Sequence, residues 1–350
     1  MSNSVTIAQL GSFPSSFVYR NRLINGAFDI WQRGTSFSSP SNVYTADRWK
    51  VSYQDDGANY TQQTSDLAGF NYFMRMLKGG TTYGSHQVQQ AIESQNTPDM
   101  IGQWVVFSCY ARLSNGTTQA SHDFNMALGF SVSTDYSGWI NSADICSYYA
   151  KWTSAGAQGV TFQAGTTSSN PSTPQQSAGT LTTSWQRYYY TLLVPSNTKT
   201  IVCSLYSENT VQNGGIDVVG AQFELGTVPT PFERRHIQQE AAMAYRYFYK
   251  TNPDNIDGCG GPLGSAFSGS ASGLGFKFPV QMRAIPSYTR GGTQDTVWVS
   301  GSNTRYGSAS FYNTTISRDG FFTENTHGNT SVSTGMPAMY NGQLSFSAEI

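Results

Sequence analysis

Apolar and polar residues alternate along most of this chain in short runs that end at Gly, Pro or Asn. The clearest runs are Trp104–Leu113, which reads WVVFSCYARL, and Arg187–Pro195, which reads RYYYTLLVP. Alternation with a period of two places apolar side chains on one face of a strand and polar side chains on the other. Between Trp49 and Gly220, eight or more such runs recur with turn residues between them. This spacing predicts a β-sandwich of two sheets.

One substantial helix is predicted directly after the last of these runs, Gly215–Leu225. Thr230 at the N-cap, Pro231 at the first helical position and Glu233 three residues after Thr230 are signals that start a helix. The apolar residues that follow at three- and four-residue spacing are Ile237, Ala241, Ala244, Tyr245 and Phe248. This stripe either packs on its own domain or joins subunits on a symmetry axis, and the pattern leaves both interpretations open.

The alternation returns after the predicted helix. Asp254–Gly275 is rich in glycine, and from Phe276 to Ile350 apolar and polar residues alternate again. Pro279 and Pro286 cannot donate a backbone hydrogen bond, so they indicate edge strands. We therefore predict a second, smaller β domain at the C-terminal end.

The composition agrees with strands joined by polar turns and excludes several functions. Charged residues make up 12% of the chain, about half of the usual share, and the net charge is −1. Nucleic-acid binding needs a concentrated Lys/Arg surface, which is absent from the sequence. No apolar run approaches the roughly 20 residues that span a bilayer, and the N-terminus does not resemble a secretory signal. We therefore expect that the protein does not insert into a membrane. We also expect that it is assembled in the host cytoplasm.

The sequence carries no recognisable catalytic motif. It contains no GxSxG, no glycine-rich phosphate loop with Lys and no HExxH. Cys109 and Cys203 fall in phase with the apolar residues of their strands, which predicts small buried side chains. The histidines show no metal-ligand spacing. We predict that the protein is not an enzyme; cleavage of a polysaccharide remains an alternative, although no pair of carboxylates is singled out.

Aromatic and polar residues beside a long polar segment, Ser154–Thr183, are candidates for sugar binding. Carbohydrate sites stack an aromatic ring on the apolar face of a pyranose and surround it with hydrogen-bonding groups. The candidates are Asp135, Tyr136, Trp139, Tyr148, Tyr149 and Trp152. The alternative interpretation is that Trp139 and Trp152 belong to the core of the sandwich or to an interface.

Several blocks of sequence resemble a known family. The segment NRLINGAFDIWQRGTSF, followed by YTADRW, is similar to the opening of a carbohydrate-binding-module-like jelly-roll domain of bacteriophage structural and tail-fibre proteins. The blocks GAQFELGTVPTPFERR and QQEAAMAYRYF resemble the close of that domain and the helix after it. FKFPVQMRAIPSYT resembles the start of the small β domain that often follows. Together these blocks bracket residues 21–250 and reach to about residue 290.

The resemblance implies an all-β protein with a jelly-roll sandwich, one connecting α-helix and a smaller C-terminal β domain. The predicted divisions are an N-terminal docking arm over 1–20, the jelly roll over 21–229, the connecting helix over 230–252 and the C-terminal β domain over 253–350. In the carbohydrate-binding jelly rolls that the chain resembles, an acid after the aromatic of the first strand and an acid on the last strand often share a metal. Asp29 and Asp217 occupy these places, so the resemblance implies a structural calcium ion.

The resemblance also implies a role in a virus particle. We expect a bacteriophage virion structural protein on the outer surface of the tail or head, most specifically a short tail fibre or receptor-binding component that contacts host surface glycans. It would be a homotrimer attached to other virion proteins through residues 1–20. Two alternatives remain open: a capsid decoration or head-fibre protein that needs no ligand, and a tailspike that depolymerises a polysaccharide.

Overall fold

The structure is a computed structural model that describes most of the chain. The described residues are 19–53, 57–78, 84–114, 123–139, 146–153, 155–163, 175–210, 214–251, 261–291, 296–299, 305–307, 310–326 and 333–350. The predicted docking arm over 1–20 therefore lies almost entirely outside the described residues, and its function stays a prediction.

The chain forms two compact units. The first comprises the residues up to Asp29, Ser36–Val43 and Trp49–Arg234, and the second comprises Ile30–Thr35, Tyr44–Arg48 and Arg235–Ile350. Two short N-terminal segments, 30–35 and 44–48, thus belong to the C-terminal unit. The divisions predicted in chain order place both segments in the jelly roll, because the sequence pattern does not show their distant contacts.

Within the described residues, two antiparallel sheets of seven strands each build the first unit. The strands are β1 Ser36–Ser38, β2 Val43–Tyr44, β3 Lys50–Tyr53, β4 Ala58–Thr64, β5 Tyr72–Lys78, β6 Gly84–Ile92, β7 Trp104–Leu113, β8 Asp123–Ser131, β9 Cys146–Thr153, β10 Gly156–Gln163, β11 Gln175–Gln176, β12 Gln186–Leu193, β13 Thr200–Thr210 and β14 Gly215–Leu225. The first sheet has the order β1-β4-β5-β14-β7-β12-β11, and the second has the order β10-β9-β8-β13-β6-β3-β2. The predicted jelly-roll sandwich is confirmed. Strands β10 and β11 lie within the polar segment Ser154–Thr183.

The core of this sandwich is aromatic. The ring of Trp152 stacks on Phe124 with a centroid distance of 6.0 Å and contacts Tyr188 at 5.1 Å. Cys109 and Cys203 are buried and free, as their phase in the strands predicts. Burial raises the pKa of both thiols.

The second unit contains two further sheets and one α-helix within the described residues. Its elements are α1 Ile237–Tyr245, β15 Phe248–Lys250, β16 Leu263–Ser268, β17 Ala271–Lys277, β18 Ser287–Gly291, β19 Thr296–Val299, β20 Arg305–Gly307, β21 Ser310–Ile316, β22 Gly320–Thr326, β23 Pro337–Tyr340 and β24 Gln343–Ser347. The sheet orders are β15-β24-β18 and β20-β19-β23-β16-β17-β22-β21. The predicted all-β class with a smaller C-terminal β domain is therefore confirmed.

The helix is much shorter than the sequence predicts. It begins after His236, whose side chain accepts the backbone N–H of Gln238. Thr230 does not cap a helix, because its hydroxyl and its backbone N–H both donate to the carboxylate of Glu224, at 2.6 and 2.9 Å. Glu224 is buried on β14 and needs these donors. Two hydrogen bonds to the buried Glu224 have replaced the predicted cap.

The predicted oligomerisation stripe is not a continuous surface. Ala244 and Phe248 are buried in the monomer, and Phe248 lies on β15 where it pairs with Ser347. Ala241 and Tyr245 are half-buried, whereas Ile237 is exposed. Ala244 and Phe248 therefore cannot line a contact between subunits, which corrects this part of the predicted stripe.

A buried ionic cluster holds residues 30–35 and 44–48 in the second unit. Glu349 pairs with Arg33 at 3.0 Å and with Arg48, and Arg33 also lies 3.5 Å from Asp47. The guanidinium of Arg48 stacks over the ring of Tyr247 at 3.5 Å. These charges are compensated inside the unit, which explains why both segments belong to it.

The cluster makes the stability of the second unit dependent on pH. Burial raises the pKa of Asp47 from 3.8 to about 7, and Glu349 adds to the rise, although Arg33 and the hydrogen bond from Gln32 oppose it. Between about pH 4 and pH 7, the Asp47 carboxyl therefore keeps its proton in the folded protein but has lost it in the unfolded chain. Stability is therefore higher at acid pH, falls as pH rises through this window and levels off above it. We expect Asp47 to make the unit about 2–3 kcal/mol more stable at pH 5 than at pH 8.

Hydrogen exchange of the β24 amides, corrected for the intrinsic pH dependence of exchange, measures this difference. The control is Asp47→Asn, which is neutral at both pH values and should lose this part of the pH dependence. An equal pH dependence in both proteins would contradict the expected titration of Asp47.

Candidate functional site

The second sheet of the first unit has one face on the core and one face that points away from it. On this outer face, cross-strand partners on β9, β8, β13, β6 and β3 form two rows, Tyr149–Ala127–Ser204–Gln89–Lys50 and Lys151–Asn125–Tyr206–Gln87–Ser52. The rows combine aromatic rings, amides, hydroxyls and two lysines above a floor of small residues. We call these two rows the outer face.

Two tyrosines form the aromatic part of the outer face. The rings of Tyr149 and Tyr206 meet edge to face with a centroid distance of 6.4 Å. Their cross-strand partners on β8 are Ala127 and Asn125, so the two rings stand on either side of that strand. Both tyrosines are half-buried, whereas Ala127 and Asn125 between them are buried. The two tyrosine rings therefore cover Ala127 and Asn125 and supply the partly exposed aromatic surface of this face.

Two amide groups of the outer face have acceptors that lack a donor. The Nδ2 of Asn125 donates to Asp123, and the Nε2 of Gln89 donates to the carbonyl of Gly138 at 2.9 Å. Within the described part of the chain, neither Asn125 Oδ1 nor Gln89 Oε1 receives a hydrogen bond, although both atoms are buried. An unsatisfied buried acceptor costs about 1–3 kcal/mol. Neither oxygen has accessible surface in this conformation, so the two acceptors do not mark a contact for a ligand.

An ion pair lies at one end of the outer face. Asp123 is buried and pairs with the partly exposed Lys151 at 2.7 Å. Ser207 also donates its hydroxyl to Asp123 at 3.1 Å. The ammonium group of Lys151 is thus held beside Asn125, where a ligand hydroxyl or carboxylate could accept from it.

The loop after β8 packs against the other end of the outer face. Lys50 donates to the carbonyl of Ser137 at 3.0 Å and lies 5.1 Å from the ring centroid of Trp139. Partial burial lowers the pKa of Lys50. The hydroxyl of Tyr136 donates to the carbonyl of Trp139 and fixes the loop conformation. The half-buried indole of Trp139 therefore borders the outer face at its Lys50 end, whereas the two tyrosines lie toward the other end.

Four of the sequence-predicted sugar-binding residues lie on or near the outer face. Tyr149 is on it, and Tyr136 and Trp139 belong to the loop at its border. Asp135 has a structural contact, because its carboxylate accepts the backbone N–H and the hydroxyl of Ser94, each at 2.9 Å.

The other two predicted residues, Tyr148 and Trp152, are in the wrong place for a ligand. Both are buried in the sandwich core, where Tyr148 contacts Phe130 and the indole of Trp152 donates to the carbonyl of Ser177. The alternation along β9 separates them from Tyr149, since neighbouring residues of a strand point to opposite faces.

Sequence reasoning missed Tyr206, Asn125 and Gln89. Tyr206 is out of phase with the buried residues Ile201, Cys203 and Leu205 of its strand, which was a readable sign of an outward position. No local pattern could bring β6, β8 and β13 next to one another. That neighbourhood depends on the strand order of the sheet.

The predicted calcium ligands do not fit a cation. Asp217 is buried and accepts from two guanidinium groups, those of Arg75 at 2.7 Å and Arg112 at 3.0 Å. Asp29 pairs instead with Arg234 at 2.9 Å. Calcium needs uncompensated oxygen ligands, whereas Asp217 is already neutralised. The described residues also contain no group of three His, Cys, Asp or Glu side chains arranged to hold a metal.

Comparisons with known proteins give distant structural likenesses only. No protein-family model matches the sequence, and neither does any curated protein.

In the described part of the chain, no helix has the length and apolar character that crossing a membrane would need.

Three solved structures illustrate these likenesses. The enzymatically active domain of tailspike protein 4 from bacteriophage CBA120 is 12% identical, with a TM-score of 0.35, over 59% of this chain and 22% of that one. A putative sugar binding protein from Bacteroides thetaiotaomicron is 10% identical, with a TM-score of 0.34, over 59% of this chain and 100% of that one. The C-terminal family 22 carbohydrate binding module of Clostridium thermocellum Xyn10B is 15% identical, with a TM-score of 0.30, over 56% and 98%.

Proposed function

We propose that this protein binds carbohydrate through the outer face of its jelly roll. The observation that carries the proposal is the pairing of the half-buried rings of Tyr149 and Tyr206 on the same face as the partly exposed Lys151. A pyranose offers an apolar face that stacks on an aromatic ring and hydroxyls that form hydrogen bonds with polar side chains. Lys151 supplies a donor for a sugar hydroxyl or an acidic sugar on the same face.

The proposed setting is the surface of a tailed bacteriophage. The opening and closing blocks of the jelly roll resemble those of phage structural and tail-fibre proteins, and this resemblance supports a short tail fibre or receptor-binding component. In this proposal residues 1–20 attach a homotrimer to other virion proteins, and the outer face meets a glycan of the host surface. A capsid decoration or head-fibre protein is the second candidate, supported by the same blocks.

The proposed activity is binding without cleavage. Hydrolysis of a glycosidic bond needs two carboxyl groups about 5–10 Å apart. On the described outer face, the neighbouring carboxylate is that of Asp123, which Lys151 and Ser207 already engage. We expect incubation with host polysaccharide to leave its chain length unchanged on size-exclusion chromatography. Shortened chains would favour the tailspike alternative.

The tyrosine pair tests the proposed binding directly. We expect Tyr149→Ala combined with Tyr206→Ala to weaken binding about tenfold or more, because two stacking rings are removed from the outer face. Binding to a microarray of bacterial surface polysaccharides and β-linked oligosaccharides, followed by affinity electrophoresis on the glycans that bind, measures the loss.

Tyr72→Ala is the matched control for the tyrosine pair. Tyr72 lies on β5 of the first sheet and is 38% exposed, so its removal takes away an exposed tyrosine of the same unit without touching the outer face. Equal binding by the double variant and the control would contradict a site at Tyr149 and Tyr206.

Electron microscopy of virions labelled with antibodies to this protein separates the two proposed locations. Label on the tail, together with inhibition of phage adsorption by the soluble protein, is expected for the receptor-binding component. Label on the head with normal adsorption favours the decoration protein.

A further inference from the structure

The larger sheet of the second unit exposes a group of apolar side chains on three neighbouring strands. Leu263 and Phe267 on β16 are 62% and 47% exposed, and Phe322 on β22 is 45% exposed. Strand β17 lies between β16 and β22 and pairs with both. Most large apolar side chains of this unit are instead packed in its core, so these three form a distinct surface.

Two glycines separate the exposed side chains. Gly275 is the cross-strand partner of both Leu263 and Phe322, and Gly273 is two residues away on the same face of β17. A Cβ at Gly273 would lie 3.2 Å from Cζ of Phe322, and one at Gly275 would lie 3.4 Å from its Cδ2. The Phe322 ring therefore runs along β17 over the glycine backbone. Glycine inside a strand often marks the close approach of a ligand or of another backbone.

Hydrogen-bonding groups flank the Phe322 ring on the same face. Glu324 and Ser265 are the cross-strand partners of Gly273, one on each side. Glu324 accepts a hydrogen bond from Asn313 at 2.8 Å, and the exposed Lys277 lies on β17 beyond Gly275. Neighbouring strands are about 4.8 Å apart, so polar groups lie within one sugar ring of the aromatic surface.

We propose that this patch, formed by Leu263, Phe267 and Phe322 with Ser265, Glu324 and Lys277 around the two glycines, is a second carbohydrate-binding site. A pyranose unit of a polysaccharide stacks on the exposed surface of Phe322, and its hydroxyls bind Glu324 and Lys277. The glycines leave the room in which the Phe322 ring lies along β17, and the sugar stacks on the exposed side of that ring. The residues of this glycine patch belong to the second unit, whereas those of the outer face belong to the first.

The charges around Phe322 favour a sugar over a second copy of the chain. Contacts between copies are depleted of charged residues at their centre. In the glycine patch, by contrast, Glu324 and Lys277 stand on either side of the central ring. A polysaccharide uses such groups as hydrogen-bond partners, whereas a second protein surface would have to bury them.

The test uses the full chain in the background of Tyr149→Ala combined with Tyr206→Ala, so that the outer face no longer contributes. The variant is Phe322→Leu, which still covers the glycines with an aliphatic side chain but removes the ring. The matched control is Ile285→Ala, because Ile285 is a 67% exposed apolar residue of the same unit away from the patch strands. The thermal unfolding midpoint of each variant verifies that it is folded.

Binding is measured on the same microarray of bacterial polysaccharides and β-linked oligosaccharides. We expect residual binding in the tyrosine background, a further loss of about tenfold with Phe322→Leu and no loss with Ile285→Ala. Complete loss in the tyrosine background alone would overturn the glycine patch and leave the outer face supported. Loss caused by Phe322→Leu alone, with the tyrosines dispensable, would support the patch and contradict the outer face.

Light scattering of the same proteins distinguishes the other occupant. If Phe322→Leu lowers the molecular mass of an assembly and does not change glycan binding, the patch is a contact between copies of the chain and the proposal is overturned. An unchanged mass with reduced binding is the expected result.

Discussion

Replacement of Asp217 by Ala should destabilise the first unit by about 3–5 kcal/mol. Asp217 is buried in β14, and its two carboxylate oxygens accept from Arg75 at 2.7 Å, from Ser114 at 2.8 Å and from Arg112 at 3.0 Å. The side chain of Arg112 is only 8% exposed. Without Asp217, the guanidinium of Arg112 would lose its buried counter-charge, which is more costly than the loss of an exposed pair. Urea unfolding followed by tryptophan fluorescence measures the change.

Asp66→Ala is the control for this substitution. Asp66 also pairs with Arg112, at 2.7 Å, but its side chain is 63% exposed. Exposed ion pairs contribute at most about 1 kcal/mol, so Asp66→Ala should have a small effect. Equal losses for the two variants would show that the burial of Asp217 is not the cause.

Replacement of Glu349 by Ala should destabilise the second unit by a similar amount, about 3–5 kcal/mol. Glu349 is the shared partner of Arg33 and Arg48, whose side chains are 15% and 2% exposed. Its removal leaves two guanidinium groups buried near each other with Asp47 as the remaining nearby carboxylate. We expect faster hydrogen exchange in 30–35 and 44–48 as well as in β24, because the N-terminal segments depend on this residue.

Asp319→Ala is the matched control in the same unit. Asp319 is exposed and bonds to Gln281 at 3.0 Å, so its removal should change stability by less than about 0.5 kcal/mol. Normal exchange in 30–35 and 44–48 of the Glu349→Ala protein would contradict the role of the ionic cluster. It would mean that other contacts hold these segments.

Two proposed sites on one chain have a consequence for function. Each site offers few stacking rings, so the affinity of each for a single sugar unit is expected to be low. A polysaccharide repeats its sugar units. When several protein sites bind the same polysaccharide molecule, the avidity rises without new contacts. Repetition of the sites in an oligomer would increase this effect further.

Much of the fold could be predicted from local patterns. The period-two alternation of β7, β12 and β14 is a property of neighbouring residues, and it correctly predicts strands. The half-buried character that it predicts for β14 is wrong, because residues on both faces of that strand are buried. The same local phase predicts the burial of Cys109 and Cys203. The low charge and the absence of a long apolar run are likewise properties of the sequence alone.

The site could be predicted only in part, because its residues come from strands that are distant in the chain. Tyr149 and Trp139 were identifiable as aromatic residues near a polar segment. Alternation could distinguish the two faces of β9, but it could not show which face carries a ligand. The strand order of the second sheet brings Tyr206, Asn125 and Gln89 to the same surface.

The sequence by itself determined the all-β class, the two β regions and the strand phases, since these depend on residues a few positions apart. Only the tertiary structure decided where the helix begins, because the buried Glu224 takes the hydrogen bonds of Thr230. The tertiary structure also decided that residues 30–35 and 44–48 belong to the second unit. Arg33 and Arg48 find their counter-charge in Glu349, about 300 residues away, and a pairing at that distance leaves no periodic signal in the sequence.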